Sequence, residues 1–156
     1  MPSQKRAAVL TGGCQCGAVR YALYSDPTEP SICHCRMCQK AFGNYFAPLA
    51  GVPLNDLAWT RGEAGRFRSS EAVDRGFCRD CGTPLFYRVF GKDRISVSLG
   101  SLDEPGRVRP TIQYGVESRV VRLQDLAALP EETTEEGTAP ELLACMSVSH
   151  QHPDRN

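Results

Sequence analysis

Long apolar runs and a surplus of either charge are both absent from this sequence of 156 residues. It has no stretch of about 18 consecutive apolar residues, the length that a membrane-spanning helix requires. Lys plus Arg and Asp plus Glu number 18 each, so the formal net charge is zero, and no dense basic block occurs. Because proteins that bind nucleic acids or anionic membranes concentrate positive charge, we expect neither partner. A small uncharged or zwitterionic partner fits this composition better.

The N-terminal segment also lacks the apolar core of a signal peptide. Its one apolar run, residues 7–10, is shorter than the roughly 7–15 residues that such a core contains. We therefore expect a cytoplasmic protein. In a reducing cytosol, the eight cysteines are more plausible as metal ligands or reactive thiols than as disulfides, and Cys-x-Cys spacings suit disulfide geometry poorly.

Short alternating runs indicate a mainly β protein with few short helices. Gly, Pro, Asn and Asp separate runs in which apolar and polar residues alternate. The pattern predicts strands at residues 18–24, 45–51, 57–60, 66–69, 85–89, 94–99, 111–114 and 119–123. It also predicts a turn at residues 25–30 and a hairpin turn at residues 61–65. The first of these strands should be half-buried, with Val19, Tyr21 and Leu23 on one face.

Two features of composition divide the chain. Residues 1–130 carry the strand pattern and are long enough for one domain with its own core. Residues 131–138 are acidic and polar without aromatic side chains, so they cannot bury enough apolar surface to offset the entropy of ordering. We expect residues 131–156 to form a mobile or loosely docked tail.

Four cysteines form two short-spaced pairs that lie far apart in the sequence. The pairs are Cys14 with Cys16 and Cys78 with Cys81. Two such turns, called knuckles, commonly combine into a tetrahedral zinc–thiolate site. Four thiolates leave no coordination position free, so the spacing predicts a closed, structural zinc site. The alternative is that the pairs are unrelated surface thiols.

Three further cysteines lie within six residues, at Cys33, Cys35 and Cys38. Three thiolates can hold zinc while a fourth position stays open for water or a substrate thiol, which the metal would keep deprotonated. A short helix is expected from about Cys35 until Gly43 ends it. The alternative is a structural site completed by a fourth side chain, with His34, Cys145, His150 and His152 as candidates.

Several neighbours of this group are candidates for substrate contacts. His34 could orient a substrate or relay a proton, or it could be a solvent-exposed spacer. The flanking polar residues Arg36, Gln39 and Lys40 could hold carboxylates of a ligand, or could simply be solvated. The aromatic residues Phe42, Tyr45 and Phe46 could form pocket walls, although core packing is the commoner role. Cys145 lies outside both groups and is expected to be an inert thiol.

Taken together, the three cysteine motifs resemble the glutathione-dependent formaldehyde-activating enzyme family, which shares a domain with centromere protein V. The resemblance rests on residues 12–21 (GGCQCGAVRY), 33–40 (CHCRMCQK) and 75–85 (RGFCRDCGTPL). It extends over about residues 10–130 and implies a mainly β, Mss4-like fold of packed antiparallel sheets.

The same resemblance implies two Zn²⁺ sites with different roles. Cys14, Cys16, Cys78 and Cys81 would hold the structural ion, whereas Cys33, Cys35 and Cys38 would hold the catalytic one. The implied activity is that of a carbon–sulfur lyase, which works towards S-hydroxymethylglutathione from glutathione and formaldehyde, or on a related thiol and aldehyde. The alternative is a non-catalytic zinc module that binds a protein partner, as Mss4-like domains can.

Overall fold

Ten strands and three short helices form the computed structural model, which describes residues 6–155. The strands are β1 Leu10–Gly13, β2 Arg20–Leu23, β3 Thr28–Cys33, β4 Ala47–Pro53, β5 Leu57–Arg61, β6 Gly65–Ser70, β7 Val73–Phe77, β8 Pro84–Val89, β9 Arg94–Ser98 and β10 Ile112–Tyr114. The helices are α1 Arg36–Phe42, α2 Leu123–Ala127 and α3 Pro140–Met146. The predicted mainly β class with few short helices is confirmed. Residues 1–5 of the predicted domain, and the last residue of the tail, lie outside the described residues.

The strands form one small and one large sheet. The small sheet has the order β1-β2-β5, and the large sheet has the order β10-β3-β4-β9-β8-β7-β6. Neighbouring strands are antiparallel except for β10, which runs parallel to β3. Because β10 closes the edge beside β3, the C-terminal part of the domain lies against the strand that ends at Cys33.

Apolar side chains of both sheets share one core. Tyr21 and Leu23 of β2 are fully buried, and Phe86 and Val97 of the large sheet belong to the same cluster. Trp59 of β5 joins the two sheets, since its ring centroid lies 5.9 Å from that of Tyr21 and 6.0 Å from that of Phe86. This core fixes the two sheets relative to each other and thereby fixes the turns that carry the cysteines.

The expectation that β2 is half-buried was wrong, because all four of its residues are buried. The strand lies between β1 and β5, and its polar residue Arg20 is buried with Asp103. The guanidinium donates two hydrogen bonds to that carboxylate, at 2.9 and 2.5 Å, and the hydroxyl of Thr11 donates a third. A buried charge is tolerated only when it is paired in this way.

Three local predictions need correction. The segment predicted as a hairpin turn at residues 61–65 instead carries the chain from the small sheet to the large one. The turn predicted at residues 25–30 overlaps β3, which already begins at Thr28. The strand predicted at residues 119–123 is absent from the described structure, where α2 begins at Leu123 with the carboxylate of Asp125 accepting from the N–H of Arg122. This capping pattern favours helix at that point.

The C-terminal segment returns to the start of the domain. Helix α3 has no buried residue, and the main-chain N–H of His152 donates to the carbonyl of Gln15 at 2.7 Å. The His152 ring lies against Gly17, where a Cβ would come within 2.2 Å of it. A loosely docked tail beyond residue 130 stays a prediction. No helix in residues 6–155 is long and apolar enough to cross a membrane.

Candidate metal centres and active-site cavity

The two predicted cysteine pairs meet between the sheets and form what we call the four-thiol cluster. Its ligand atoms, the sulfurs of Cys14, Cys16, Cys78 and Cys81, all lie within 4.8 Å of one another. The Cys14–Cys16 and Cys16–Cys78 sulfur distances are 3.5 and 3.8 Å. A tetrahedral site with zinc–sulfur bonds of about 2.3 Å places its sulfurs about 3.8 Å apart. The four side chains therefore fit a metal of this kind.

Each cysteine pair is shaped by the same kind of turn. Gly17 and Gly82 follow the second cysteine of their pairs with φ angles of +79° and +78°, and their N–H groups donate to the carbonyls of Cys14 and Cys78. Only glycine adopts this left-handed conformation without steric cost. The N–H of Val19 also donates to the Cys14 sulfur at 3.2 Å.

The acidities of these thiols differ because their surroundings differ. Burial raises the pKa of Cys78 to about 12. Burial acts in the same direction on Cys81, but hydrogen bonds from the hydroxyl and main chain of Thr83 outweigh it and lower the pKa of Cys81 to about 6. Four thiolates this close repel one another, so a cation is needed before all four can ionise.

The second group, the three-thiol cluster, lies where β3 meets α1. Cys33 ends β3, Cys35 is the N-cap of α1, and Cys38 is buried inside that helix. Their sulfurs also lie within 4.8 Å of one another, and the Cys38 N–H donates to the Cys35 sulfur at 3.4 Å. Helix α1 ends at Gly43 in the left-handed conformation, which confirms the predicted helix and its stop.

The glycine after β10 holds the loop of this cluster closely. Gly115 has a φ of +63°, and a Cβ there would lie 2.7 Å from the backbone nitrogen of Cys35. The N–H of His34 donates to the carbonyl of Tyr114 at 2.8 Å. The edge strand β10 and Gly115, which lies 80 residues after Cys35 in the sequence, therefore hold the loop that carries the three cysteines in place.

Two of the three thiols share a proton unequally. The hydrogen bond with Cys38 lowers the pKa of Cys33 to about 5 against the effect of burial, and Cys35 and Arg75 lower it further. The same hydrogen bond with Cys33, together with burial, raises the pKa of Cys38. Thiols in such contact compete for one negative charge until a cation relieves the repulsion.

The three-thiol cluster opens into a cavity of about 320 Å³. All three cysteines line it, together with charged side chains that sequence reasoning missed: Arg75, Arg94 and Glu29. The candidates for a fourth protein ligand do not join the cluster, since within residues 6–155 no histidine or fourth cysteine has a ligand atom within 4.8 Å of all three sulfurs. The cluster thus offers three protein ligands and faces open space.

His34 is buried and does not line this cavity. Its ring has no exposed surface, its Nε2 lies 2.9 Å from Oε1 of Gln113, and its centroid lies 5.9 Å from that of Phe46. The exposed-spacer interpretation was wrong, because β10 brings Gln113 over the ring. A catalytic role for His34 stays a prediction.

The predicted ligand-binding residues Arg36, Gln39 and Lys40 lie outside the cavity as well. The side-chain amide of Gln39 donates to the carbonyls of His34 and Ser118, at 2.7 and 2.9 Å. These hydrogen bonds stabilise the packing of α1 against the segment after β10. Arg36 and Lys40 are exposed and line a separate depression. Phe42, Tyr45 and Phe46 do not line the cavity either. Helical geometry turns this face of α1 away from the sulfurs.

The cations at the cavity come instead from β7 and β9. Arg75 is buried, and its Nη2 donates to the Cys38 sulfur at 3.4 Å. Arg94 is exposed, donates to the hydroxyl of Thr28, and lies 3.5 Å from the Glu29 carboxylate. Its guanidinium lies over Gly51, where a Cβ would come within 2.6 Å. Local sequence patterns contain no signal for these contacts, because they depend on the order of strands in the large sheet.

Comparison with known proteins identifies relatives of similar sequence. A Phaeosphaeria nodorum protein named "Putative glutathione-dependent formaldehyde-activating enzyme" is 32% identical over 113 residues, 67% of this chain and 58% of that protein. A Schizosaccharomyces pombe protein named as an uncharacterized lyase is 26% identical over 76 residues, 49% of this chain and 55% of that protein. The matches thus span little more than half of each relative.

A solved structure and a family model cover more of the molecule. The crystal structure of a Rhodobacter sphaeroides protein has a similar fold, with a TM-score of 0.50 and 23% identity over 77% of this chain and 97% of that one. The family model described as glutathione-dependent formaldehyde-activating enzyme matches residues 9–118. Since this match contains both cysteine clusters, the chain belongs to the glutathione-dependent formaldehyde-activating enzyme family.

Proposed function

We propose that the protein is a zinc-dependent carbon–sulfur lyase that forms or cleaves the adduct of formaldehyde with glutathione or a related thiol. The observation that carries this proposal is the three-thiol cluster, whose three sulfurs face a cavity of about 320 Å³ with no fourth protein ligand within residues 6–155. Family membership and the lyase name of one relative support the reaction class.

The two clusters would divide structure from chemistry. The four-thiol cluster supplies a complete tetrahedral donor set, so we assign it a structural zinc. The three-thiol cluster would hold the second zinc, which when bound would keep the substrate sulfur deprotonated and in place. Both sites need reduced thiols, and all eight cysteines of the structure are free, which supports the proposed cytoplasmic location.

The charged residues of the cavity fit a zwitterionic thiol. Arg94 and Glu29 form an ion pair whose side chains are 43% and 76% exposed, so a ligand can reach both. The guanidinium would bind a ligand carboxylate through two hydrogen bonds, and the carboxylate of Glu29 would accept from a ligand ammonium. These residues replace Arg36, Gln39 and Lys40 as the proposed substrate contacts.

The chemical step joins the held thiol to the aldehyde. The sulfur electron pair forms a bond to the carbonyl carbon, the carbon–oxygen π pair moves onto oxygen, and water supplies the proton that completes the hydroxymethyl group. Cleavage runs the same steps in reverse. The cavity contributes by holding both reactants in contact, which lowers the entropic part of the barrier.

Exchange spectroscopy with ¹³C-formaldehyde and glutathione tests the proposal, because it measures interconversion of free and thiol-bound formaldehyde at equilibrium. We expect the zinc-loaded protein to raise the exchange rate above the uncatalysed rate, Cys33→Ala to abolish the increase, and Cys145→Ala to retain it. An unchanged exchange rate, with no effect of millimolar glutathione on the spectrum of cobalt at the three-thiol cluster, would favour the non-catalytic protein-interaction module instead.

A further inference from the structure

Arg75 is a buried cation in contact with the three-thiol cluster. It lies on β7, where only 6% of its surface is exposed. Its Nη2 donates to the Cys38 sulfur at 3.4 Å, its Nε donates to the hydroxyl of Ser69 at 3.1 Å, and its guanidinium lies 5.0 Å from the centre of the Tyr87 ring. These three contacts hold the planar guanidinium in one orientation beside the sulfurs.

The positive charge of Arg75 is not matched by a carboxylate. In the described part of the chain, the ion pairs of arginine with Asp or Glu do not include Arg75. Its Nη1 is buried without a hydrogen-bond partner. Burying a charged donor unpaired is costly, and arginine does not lose its proton to avoid that cost. The anionic group available to it is the three-thiol cluster.

The charge of a loaded cluster explains why a cation is useful at this place. Three thiolates around a divalent metal give a net charge of about −1, and a thiolate as fourth ligand would bring it to about −2. Repulsion within that assembly opposes an anionic ligand much more than a neutral one. A fixed positive charge in contact with Cys38 offsets one unit of the excess.

We propose that Arg75 is the positioning residue that supplies the counter-charge of the three-thiol cluster, so that the loaded cluster accepts an anionic sulfur as its fourth ligand. The inference rests on the proposed function, which assigns a metal to this cluster. Arg75 acts through Cys38 and does not itself change protonation. Partners of the metal site outside the ligand set typically alter affinity by about 10- to 100-fold.

The test compares an anionic with a neutral ligand on cobalt-substituted protein. Arg75→Gln removes the charge and keeps a side-chain donor, and Arg75→Lys keeps the charge. Arg66→Gln is the matched control, because Arg66 also lies over an aromatic ring, at 5.6 Å from the centre of Phe86, but pairs with the carboxylate of Asp74 at 3.8 Å instead of with a sulfur. Glutathione and imidazole are titrated against the cobalt absorption spectrum of each variant.

We expect Arg75→Gln to weaken glutathione binding about 10- to 100-fold while imidazole binding changes less than about twofold. Arg75→Lys should keep most of the glutathione affinity, and Arg66→Gln should match the wild type. When the wild type binds glutathione, an equal loss for both ligands in Arg75→Gln, or no loss for either ligand, would overturn the proposal. Cobalt retained at the four-thiol cluster shows that the variant is folded.

A second measurement separates this proposal from the proposed function. Chelator competition gives the metal affinity of the three-thiol cluster without any thiol ligand, and Arg75→Gln should lower it by about 10-fold. If glutathione does not change the spectrum of wild-type cobalt protein but Arg75→Gln still lowers the metal affinity, the lyase proposal fails and the role of Arg75 as counter-charge is supported. If the variant's metal affinity equals that of the wild type, the counter-charge is refuted whatever the activity.

Discussion

Replacement of Cys16 by alanine separates metal ligation from ordinary packing. Cys16 is exposed, yet its sulfur lies 3.5 Å from that of Cys14 and 3.8 Å from that of Cys78. An exposed cysteine without a ligand role can be replaced by alanine with a change of about 0.5 kcal/mol or less in the free energy of unfolding. A much larger effect would therefore report the loss of a metal ligand.

The size of the effect follows from the loop that the four-thiol cluster closes. Cys16 and Cys78 are 62 residues apart in sequence. Treating the metal bridge as a cross-link, the loop-closure relation gives about 4 kcal/mol for a loop of this length. For a chain of this size, such a loss lowers the melting temperature by roughly 8–16 °C.

The assay is thermal and urea unfolding of zinc-loaded protein, with Cys145→Ala as the control because Cys145 is also exposed but belongs to neither cluster. We expect Cys16→Ala to lose about 4 kcal/mol, Cys145→Ala to match the wild type, and a strong chelator to remove most of the difference between the two variants. The reasoning fails if Cys16→Ala and Cys145→Ala unfold together.

Three further predictions concern charge and backbone. Burial would raise the pKa of Asp103, but the hydrogen bonds from Arg20 and Thr11 outweigh it and lower that pKa. Asp103→Asn should therefore lower the free energy of unfolding by about 3–5 kcal/mol at pH 7. Because the contribution of the carboxylate is lost as pH falls through its lowered pKa, urea unfolding should show a smaller difference between the variant and the wild type below about pH 3.9. Gly115→Ala should strip metal from the three-thiol cluster in a chelator titration, whereas Gly91→Ala, with a similar φ of +71° and open space around it, should not. Arg94→Ala should raise KM for glutathione about 10-fold with little change in kcat, and an equal loss with uncharged 2-mercaptoethanol would argue against carboxylate binding.

The cysteine clusters could be predicted from the sequence because their spacing is local. Two thiols separated by one or two residues and followed by glycine must lie in one turn. Each turn supplies only two of the four ligands that a tetrahedral zinc site needs, so two such turns are expected to combine into one site. Helix α1 was predictable for the same reason, since Gly43 ends it only five residues after Cys38. Each of these inferences needed only neighbouring residues.

The cavity could not be predicted, because strand order brings its residues together. Arg75 and Arg94 line the same cavity as the three thiols only in the arrangement β3-β4-β9-β8-β7. His34 is buried because β10 pairs with β3 and places Gln113 2.9 Å from its ring. Long-range pairing of this kind leaves no periodic signal in the sequence. Proximity in the chain therefore favours the flanking residues Arg36, Gln39 and Lys40, although they lie outside the cavity.

Zinc stoichiometry measured by native mass spectrometry on wild type and Cys35→Ala tests the division of the thiols most directly. We expect two ions in the wild type and one in the variant, with the fold retained and only about 1 kcal/mol lost with the N-cap of α1. A variant that loses both ions together with its structure would contradict the assignment of one closed and one open site.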